Sequence, residues 1–205
     1  MADPTKTKGF RDGPLLRYDT VGSTMDVAKE LPVSGSPTTV VATSQTSGRG
    51  RFDRTWVSPP TGGIYLTARI PWTRPFPQAP LVSIGAALAL ARVASDLGCL
   101  DVVLKWPNDL LVGGRKAAGI LAEMFNEESA NSLLVGVGIN VSIDSSTLSK
   151  VGQPAVSLSD ACGRPLDPEQ VLSSFLNNWS EIDLVLETSG FAPLAREFRM
   201  RSDLP

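Results

Sequence analysis

The 205-residue sequence contains no histidine and only two cysteines, Cys99 and Cys162. Without imidazole, Ser-His-Asp and Cys-His catalysis, HExxH metallopeptidases and His-containing zinc sites are excluded. Any proton transfer falls to other groups. The cysteines form no CxxC pair and no multi-bridge framework, so they read as two small buried hydrophobes of a reducing compartment. An excess of either charge is also missing. Nineteen Lys+Arg stand against 21 Asp+Glu, a formal net charge of −2, which gives no overall attraction to nucleic acid or anionic membrane. The longest apolar run, residues 81–94, is interrupted by Ser83 and Arg92 and is too short to span a bilayer. The first eight residues lack the apolar core of a secretory signal. The expectation is a cytoplasmic protein of one domain, or of one domain with a small appendage.

What is present is ordinary globular material, 42% hydrophobic and 20% charged. Residues 1–13 are polar and glycine-containing and predict a flexible lead-in. Residues 15–21 predict a strand, followed by a short helix capped by Ser23 with Asp26 three positions on and stopped by Pro32. Residues 38–43 and 64–70 predict buried strands, with a Gly- and Arg-rich stretch between them. After a proline-rich loop over 71–80, residues 81–97 predict a buried helix that ends at Gly98. Residues 102–105, 110–112 and 116–125 predict strands, the last two forming a hairpin across Gly113-Gly114. Residues 132–141 predict another strand, in which Gly136 and Gly138 would admit a close neighbour. Asp167-Pro168 then begins a helix with an apolar stripe at Leu172, Phe175, Trp179, Ile182 and Leu186, and a last helix spans about 193–200. Strands in hairpins with helices grouped beside them favour an α+β fold with a mixed β-sheet.

Three basic segments flanked by glycine or turn residues fall near strand ends. In Gly48-Arg-Gly-Arg51, backbone N–H groups and guanidinium forks can converge on a phosphate or carboxylate. The spacing matches neither a Walker A loop nor a dinucleotide fingerprint. Arg54 and Trp56 follow, the latter with a flat surface for a base. Lys105-Trp-Pro-Asn-Asp109 and Lys116 make up the other two. Taken singly, these residues also fit a solvated loop, a turn and an edge lysine, just as Asn140 fits a turn and Ser23-Thr24 a helix cap. Taken together, they fit carboxylate activation by ATP, which chiefly needs charge neutralisation at the α-phosphate.

At these residues the sequence resembles the biotin protein ligases, also called biotin–[acetyl-CoA-carboxylase] ligases. The resemblance runs from about Tyr18 to Asn140, more weakly to Ser202. It is carried by Ser23-Thr24, Gln45, Gly48-Arg-Gly-Arg51, Arg54 with Trp56, Lys105-Trp-Pro-Asn-Asp-Leu110, Arg115-Lys116-Ala-Ala-Gly-Ile-Leu121 and Gly136-Val-Gly-Ile-Asn140. It implies a catalytic domain over 14–202, related in fold to class II aminoacyl-tRNA synthetases and lipoate ligases. It also implies a two-step reaction: biotin and ATP give biotinyl-5′-AMP, and a lysine of a biotin carboxyl carrier domain then takes the biotinyl group. By the same resemblance, Ser23, Thr24 and Gln45 recognise the ureido ring and Gly48 and Arg49 add backbone contacts. Gly119 and Leu121 bond the biotin end. Arg51, Arg54, Trp56, Lys105, Asn108 and Asn140 serve ATP, and Asp109 helps hold Mg²⁺. Lys116 bridges biotin's carboxylate and the α-phosphate, which with Arg51 makes it the catalytic candidate.

This chain has Met25 where the family usually has Asn. No winged-helix domain precedes the ligase region, so DNA binding is not expected, and the family's SH3-like C-terminal domain is not evident after residue 202. A homodimer is left open. Two alternatives stand beside this expectation: a lipoate or octanoate ligase or transferase of related fold, and a nucleic-acid-binding module built on the arginine loop.

Overall fold

The computed structural model describes residues 8–32, 34–52, 54–126 and 130–204. In chain order the elements are β1 Leu15–Val21, α1 Thr24–Glu30, β2 Thr38–Gln45, β3 Gly63–Pro71, α2 Ala79–Asp96, β4 Val102–Lys105, β5 Asp109–Val112, β6 Arg115–Asn126, β7 Asn131–Asn140, α3 Ser145–Leu148, α4 Leu158–Cys162, α5 Pro168–Ser189 and α6 Ala195–Arg201. The strands form a seven-stranded sheet in the order β1-β2-β3-β7-β6-β5-β4. β1 and β2 are parallel, joined across α1, and every other pair is antiparallel. This is the mixed-sheet α+β architecture that the sequence pattern predicts.

The local signals explain most boundaries. Gly113 and Gly114 both take positive φ, 55° and 72°, the requirement of a two-residue hairpin turn between β5 and β6. Gly98, at φ 89°, ends the turn after α2. Pro168 opens α5 behind the Asp167 cap, whose carboxylate accepts from Glu169 N. All five predicted stripe residues of α5 are at most 5% exposed. Each such side chain contributes about 1.5–3 kcal/mol by leaving water.

Side-chain alternation divides the sheet into two faces. On one, Leu66, Ala68, Val135, Val137 and Ile139 share a core with α2 and α5. On the other, Val40 and Leu134 pack with Met25 and Ala28 of α1. Arg69 reaches from β3 on this second face to the end of α1. There its guanidinium donates to the carbonyls of Ala28 (3.1 Å), Lys29 (3.0 Å) and Leu31. A cation on carbonyls that lack partners in their own helix fixes that end of α1. The stretch Phe76–Asp96 is long and apolar enough, by length and composition, to cross a membrane. Half of it is buried in the protein, as befits a core helix.

The structure corrects two expectations. Of the predicted lead-in, residues 8–13 are folded onto the domain, and residues 1–7 lie outside the described residues. Phe10 is fully buried with its ring 4.1 Å from that of Trp179, and Phe10 N donates to Thr39 Oγ1. An aromatic side chain seals the edge of the core where the polar composition around it suggested solvent. The cysteines are not separate hydrophobes: Cys99 and Cys162 form a disulfide, with Cα atoms 4.6 Å apart.

Arg11 and Arg74 converge on Asp183, which is fully buried in α5, at 2.5 and 3.1 Å, and Glu187 joins the cluster. Removing the carboxylate leaves two cations sharing only the partly exposed Glu187. Asp183→Ala is therefore expected to cost about 3 kcal/mol, read as a lower urea midpoint with unchanged slope. Thiol titration of the denatured, unreduced protein should find no free thiol, and reduction should release both.

Candidate active site

The site lies on the α1 face of the sheet and begins with missing side chains. Gly119 of β6 and Gly138 of β7 are direct cross-strand partners. A Cβ at Gly138 would stand 2.4 Å from Cε2 of Trp56, and one at Gly119 would stand 2.9 Å from the same indole. Two neighbouring glycines thus form a flat floor on which Trp56 rests. At Gly136 a Cβ would meet Met25 Sδ at 3.0 Å, so Met25 fills the space above that glycine. Trp56 Nε1 is buried and has no hydrogen-bond partner among the described residues.

Beside the floor is an inner cavity of about 50 Å³, lined by Ser23, Thr24, Gln45, Arg49, Gly119 and Leu121 among others. Ser23 is the N-cap of α1 and accepts from Met25 N. Thr24 donates from its backbone N (2.8 Å) and its hydroxyl (3.1 Å) to Gln45 Oε1. Gln45 Nε2 in turn donates to Ser58 Oγ (2.9 Å). Thr24 also shares a 2.8 Å hydroxyl contact with Thr67 of β3. These bonds set the amide of Gln45 in one orientation, so its polar atoms are ordered before any ligand arrives. The sequence reading passed over Thr67 and Ser58, because a strand threonine and a loop serine carry no local signature.

Residues 48–52 and 54–56 fold back as a flap. Trp56 N donates to Gly48 O, Gly50 N donates to Arg54 O, and Arg49 bridges Thr55. Gly48 is required by contact: a Cβ there would lie 2.5 Å from Trp56 O. Gly48 is buried at the flap's root and is not part of either cavity lining. On the flap, Arg49 meets Asp26 at 2.6 Å and Arg51 Nη1 donates to Asn108 Oδ1 at 3.1 Å. An outer cavity of about 450 Å³ lies beyond, lined by Arg51, Arg54, Trp56, Asn108, Asp109 and Lys116. Val151, Gly152 and Gln153 form its far wall, another group with no motif to reveal it.

Lys116 stands where the cavities meet and lines both. Its backbone is fixed by exchange with the 154–156 segment, N to Pro154 O and O from Val156 N, each 3.0 Å. Its ammonium lies 2.8 Å from Asp109 Oδ1 and 5.2 Å from the Trp56 ring centroid. Asp109 is the only carboxylate among the described residues lining either cavity. No group of three or more His, Cys, Asp or Glu among them is placed to hold a metal ion.

Besides Gly48, two candidates fall outside the cavities that hold the rest. Asn140 is buried, and its amide donates to the carbonyls of Lys116 (3.3 Å) and Val156 (3.4 Å), so it braces the lysine's backbone from behind. Lys105 is exposed at the end of β4, in a shallow cleft with Trp106 and Phe198. The Trp106–Pro107 peptide beside it is cis.

Residues 18–140 match the model of the Biotin/lipoate A/B protein ligase family. The chain belongs to this family. A bifunctional ligase/repressor BirA of Bacillus subtilis (strain 168) is 33% identical over 184 residues, covering 88% of this chain and 57% of that protein. This ligase-family chain thus spans somewhat more than half the length of that relative. The biotin–[acetyl-CoA-carboxylase] ligase of Paracoccus denitrificans is 30% identical, covering 92% of this chain and 79% of that one. Among solved structures, the biotin protein ligase of Aquifex aeolicus in complex with biotin and ATP superposes with a TM-score of 0.72 at 28% identity, over 93% of this chain and 78% of that one.

The glycine floor of this family member generates a direct test. In Gly138→Ala the new methyl group displaces the indole of Trp56, which sits on a loop, in preference to the paired strand. Tryptophan emission of the ligand-free protein should shift to the red, and the same substitution in a Trp56→Phe background should leave emission unshifted.

Proposed function

We propose that the chain is an ATP-dependent biotin ligase. On this reading it activates biotin as biotinyl-5′-AMP and transfers the biotinyl group to a lysine of a biotin carboxyl carrier domain. The observation that carries the reading is the position of Lys116, shared by an inner, partly polar cavity and an outer, arginine-lined one. An acid bound in the first and a nucleotide in the second would meet at that ammonium. The Paracoccus relative and the Aquifex neighbour named above are biotin ligases, which favours biotin over lipoate or octanoate.

In the first step a carboxylate oxygen forms a bond to the α-phosphorus of ATP, and the bond to pyrophosphate breaks. The carboxylate is already ionised near neutral pH and requires no base. What the step requires is positive charge, supplied by Lys116 and Arg51, with Arg54 nearer the outer phosphates. Lys116 exchanges its 2.8 Å contact with Asp109 for the carboxylate and α-phosphate. Ser23, Thr24 and Gln45 hold the ureido ring, and Gly119 and Leu121 the biotin end. Gly48 and Arg49 contact biotin through the flap backbone. Trp56 offers its face to the adenine and Asn108 its amide to the nucleotide. Lys105 lies outside the cavity rim and Asn140 behind it, so Asn140 acts through Lys116.

Mg²⁺ accompanying ATP would supply further charge neutralisation at the phosphates. Asp109 fits as one further ligand once Lys116 has left it. In the second step the acceptor amine bonds to the acyl carbon, AMP leaves and a proton is lost. The acceptor domain has a natural landing place. From Leu121 onward β6 pairs with β7 only, and no described strand pairs its other edge, so an extended segment can add there.

Lys116→Ala should reduce biotin-dependent pyrophosphate release by at least about 100-fold, the usual cost of losing one preorganised charge-stabilising group. Activity equal to wild type would remove Lys116 from the mechanism. Transfer is checked by mass spectrometry of a carrier domain incubated with the chain, biotin and Mg·ATP.

A further inference from the structure

Ser58 is buried, 6% exposed, and lines neither cavity. Its two oxygens gather bonds from the end of β2. The backbone carbonyl accepts from Gln45 N (3.3 Å) and from Ser44 Oγ (3.0 Å). The hydroxyl oxygen accepts from Gln45 Nε2 (2.9 Å), and the hydroxyl donates in turn to Trp56 O (3.2 Å).

Backbone groups fix the polarity of this chain of bonds at both ends. Trp56 O can only accept, so Ser58 commits its one proton there and offers Gln45 an oxygen. Thr24 N can only donate, so the other end of the amide meets it with Oε1. Turned over, the amide would set N–H against N–H at Thr24 and oxygen against oxygen at Ser58, two unpaired contacts in a closed space. The Thr24 hydroxyl also donates to Gln45 Oε1, so in its contact with Thr67 it accepts. Side by side on the lining of the inner cavity, Gln45 Oε1 and Thr24 Oγ1 are acceptors. They suit a ligand that brings N–H groups.

We infer that Ser58 is a positioning residue that holds the oxygen of Gln45 ready for the bound acid, and so sets the preference of the inner cavity for an acid carrying ring N–H groups. The inference rests on the ligase reading, in which that acid is biotin. Ser58 acts through Gln45, so its loss should weaken biotin binding and spare the nucleotide step. Trp56 keeps its own backbone anchor, N to Gly48 O, when the hydroxyl is removed. A serine that only closed a turn would lack this dependence on Gln45.

The test is a double-mutant cycle, with biotin affinity measured by titration calorimetry on the full chain. Ser58→Ala should raise the Kd for biotin about tenfold, the effect of leaving one buried amide N–H unpaired. The KM for ATP and the kcat of pyrophosphate release at saturating biotin should stay within about twofold of wild type. In a Gln45→Ala background, the same substitution should change Kd by less than about twofold. Ser58→Cys fills the same space with a weak acceptor; it should repeat the loss, and it takes the place of Ser58→Ala if that variant is unstable. In the ligand-free protein, the two Gln45 Nε2 protons should give separated, slowly exchanging NMR signals that move together in Ser58→Ala. Wild-type biotin affinity in Ser58→Ala, or a penalty carried over in full to the Gln45→Ala background, overturns the inference. If wild type binds no biotin, the ligase reading fails, and the amide signals then decide the clamp by themselves: unchanged in Ser58→Ala, they overturn it as well.

Discussion

Packing across the β3–β7 pair imposes opposite requirements on the two faces of the sheet. Toward α2 and α5 these strands present Leu66, Ala68, Val135, Val137 and Ile139, which fill a dry interior. Toward α1 the same strands and β6 must leave room, and they do so with Gly136, Gly138 and Gly119. The period of two along each strand lets one ten-residue segment meet both requirements. The full side supports the hollow side. Strand glycines weaken a strand that stands alone, and here the buried aliphatic layer, together with α5 behind it, holds the floor flat. Arg69 completes the arrangement by fixing α1, and with it the Ser23 and Thr24 wall, over that floor.

Three cations at the cavities are already engaged in the ligand-free chain. Lys116 has Asp109, Arg51 has Asn108 and Arg49 has Asp26. These partners keep the side chains extended toward the site and lower the cost of ordering them when an anion arrives. On the proposed reading they are also weak enough, being partly solvated, to be exchanged for substrate oxygens. The absence of histidine is consistent with this economy. A reaction limited by charge accumulating on phosphorus calls for fixed positive groups, and a titrating ring adds little to that.

Much of this was legible in the sequence because it is locally determined. β1 begins and ends where the apolar pattern places it, and Pro168, Gly98 and the Gly113-Gly114 pair punctuate the chain as their dihedral preferences require. The site could be assembled because its motifs sit at strand ends that one sheet brings together. What escaped was set by through-space contact. Cys99 and Cys162 are 63 positions apart, and nothing near either one announces the other. Phe10 stands alone in a polar stretch, so only the presence of Trp179 explains its burial. Asn140 ends its motif as expected, yet the fold turns its amide toward two backbone carbonyls. Asp26 matched a capping pattern, and only the position of Arg49 shows where its carboxylate is directed.

The disulfide draws a boundary through the site. Its ring encloses residues 99–162, and so contains Asn108, Asp109, Lys116, the glycine floor and the 151–153 wall. α1, Gln45 and the whole 48–56 flap lie outside it. A covalent ring reduces the number of arrangements open to the enclosed chain when it unfolds, and leaves the outside segments as free as before. The half that carries Lys116 is therefore secured against unfolding by a covalent bond, and the half that carries Gln45 and the flap relies on packing and hydrogen bonds alone.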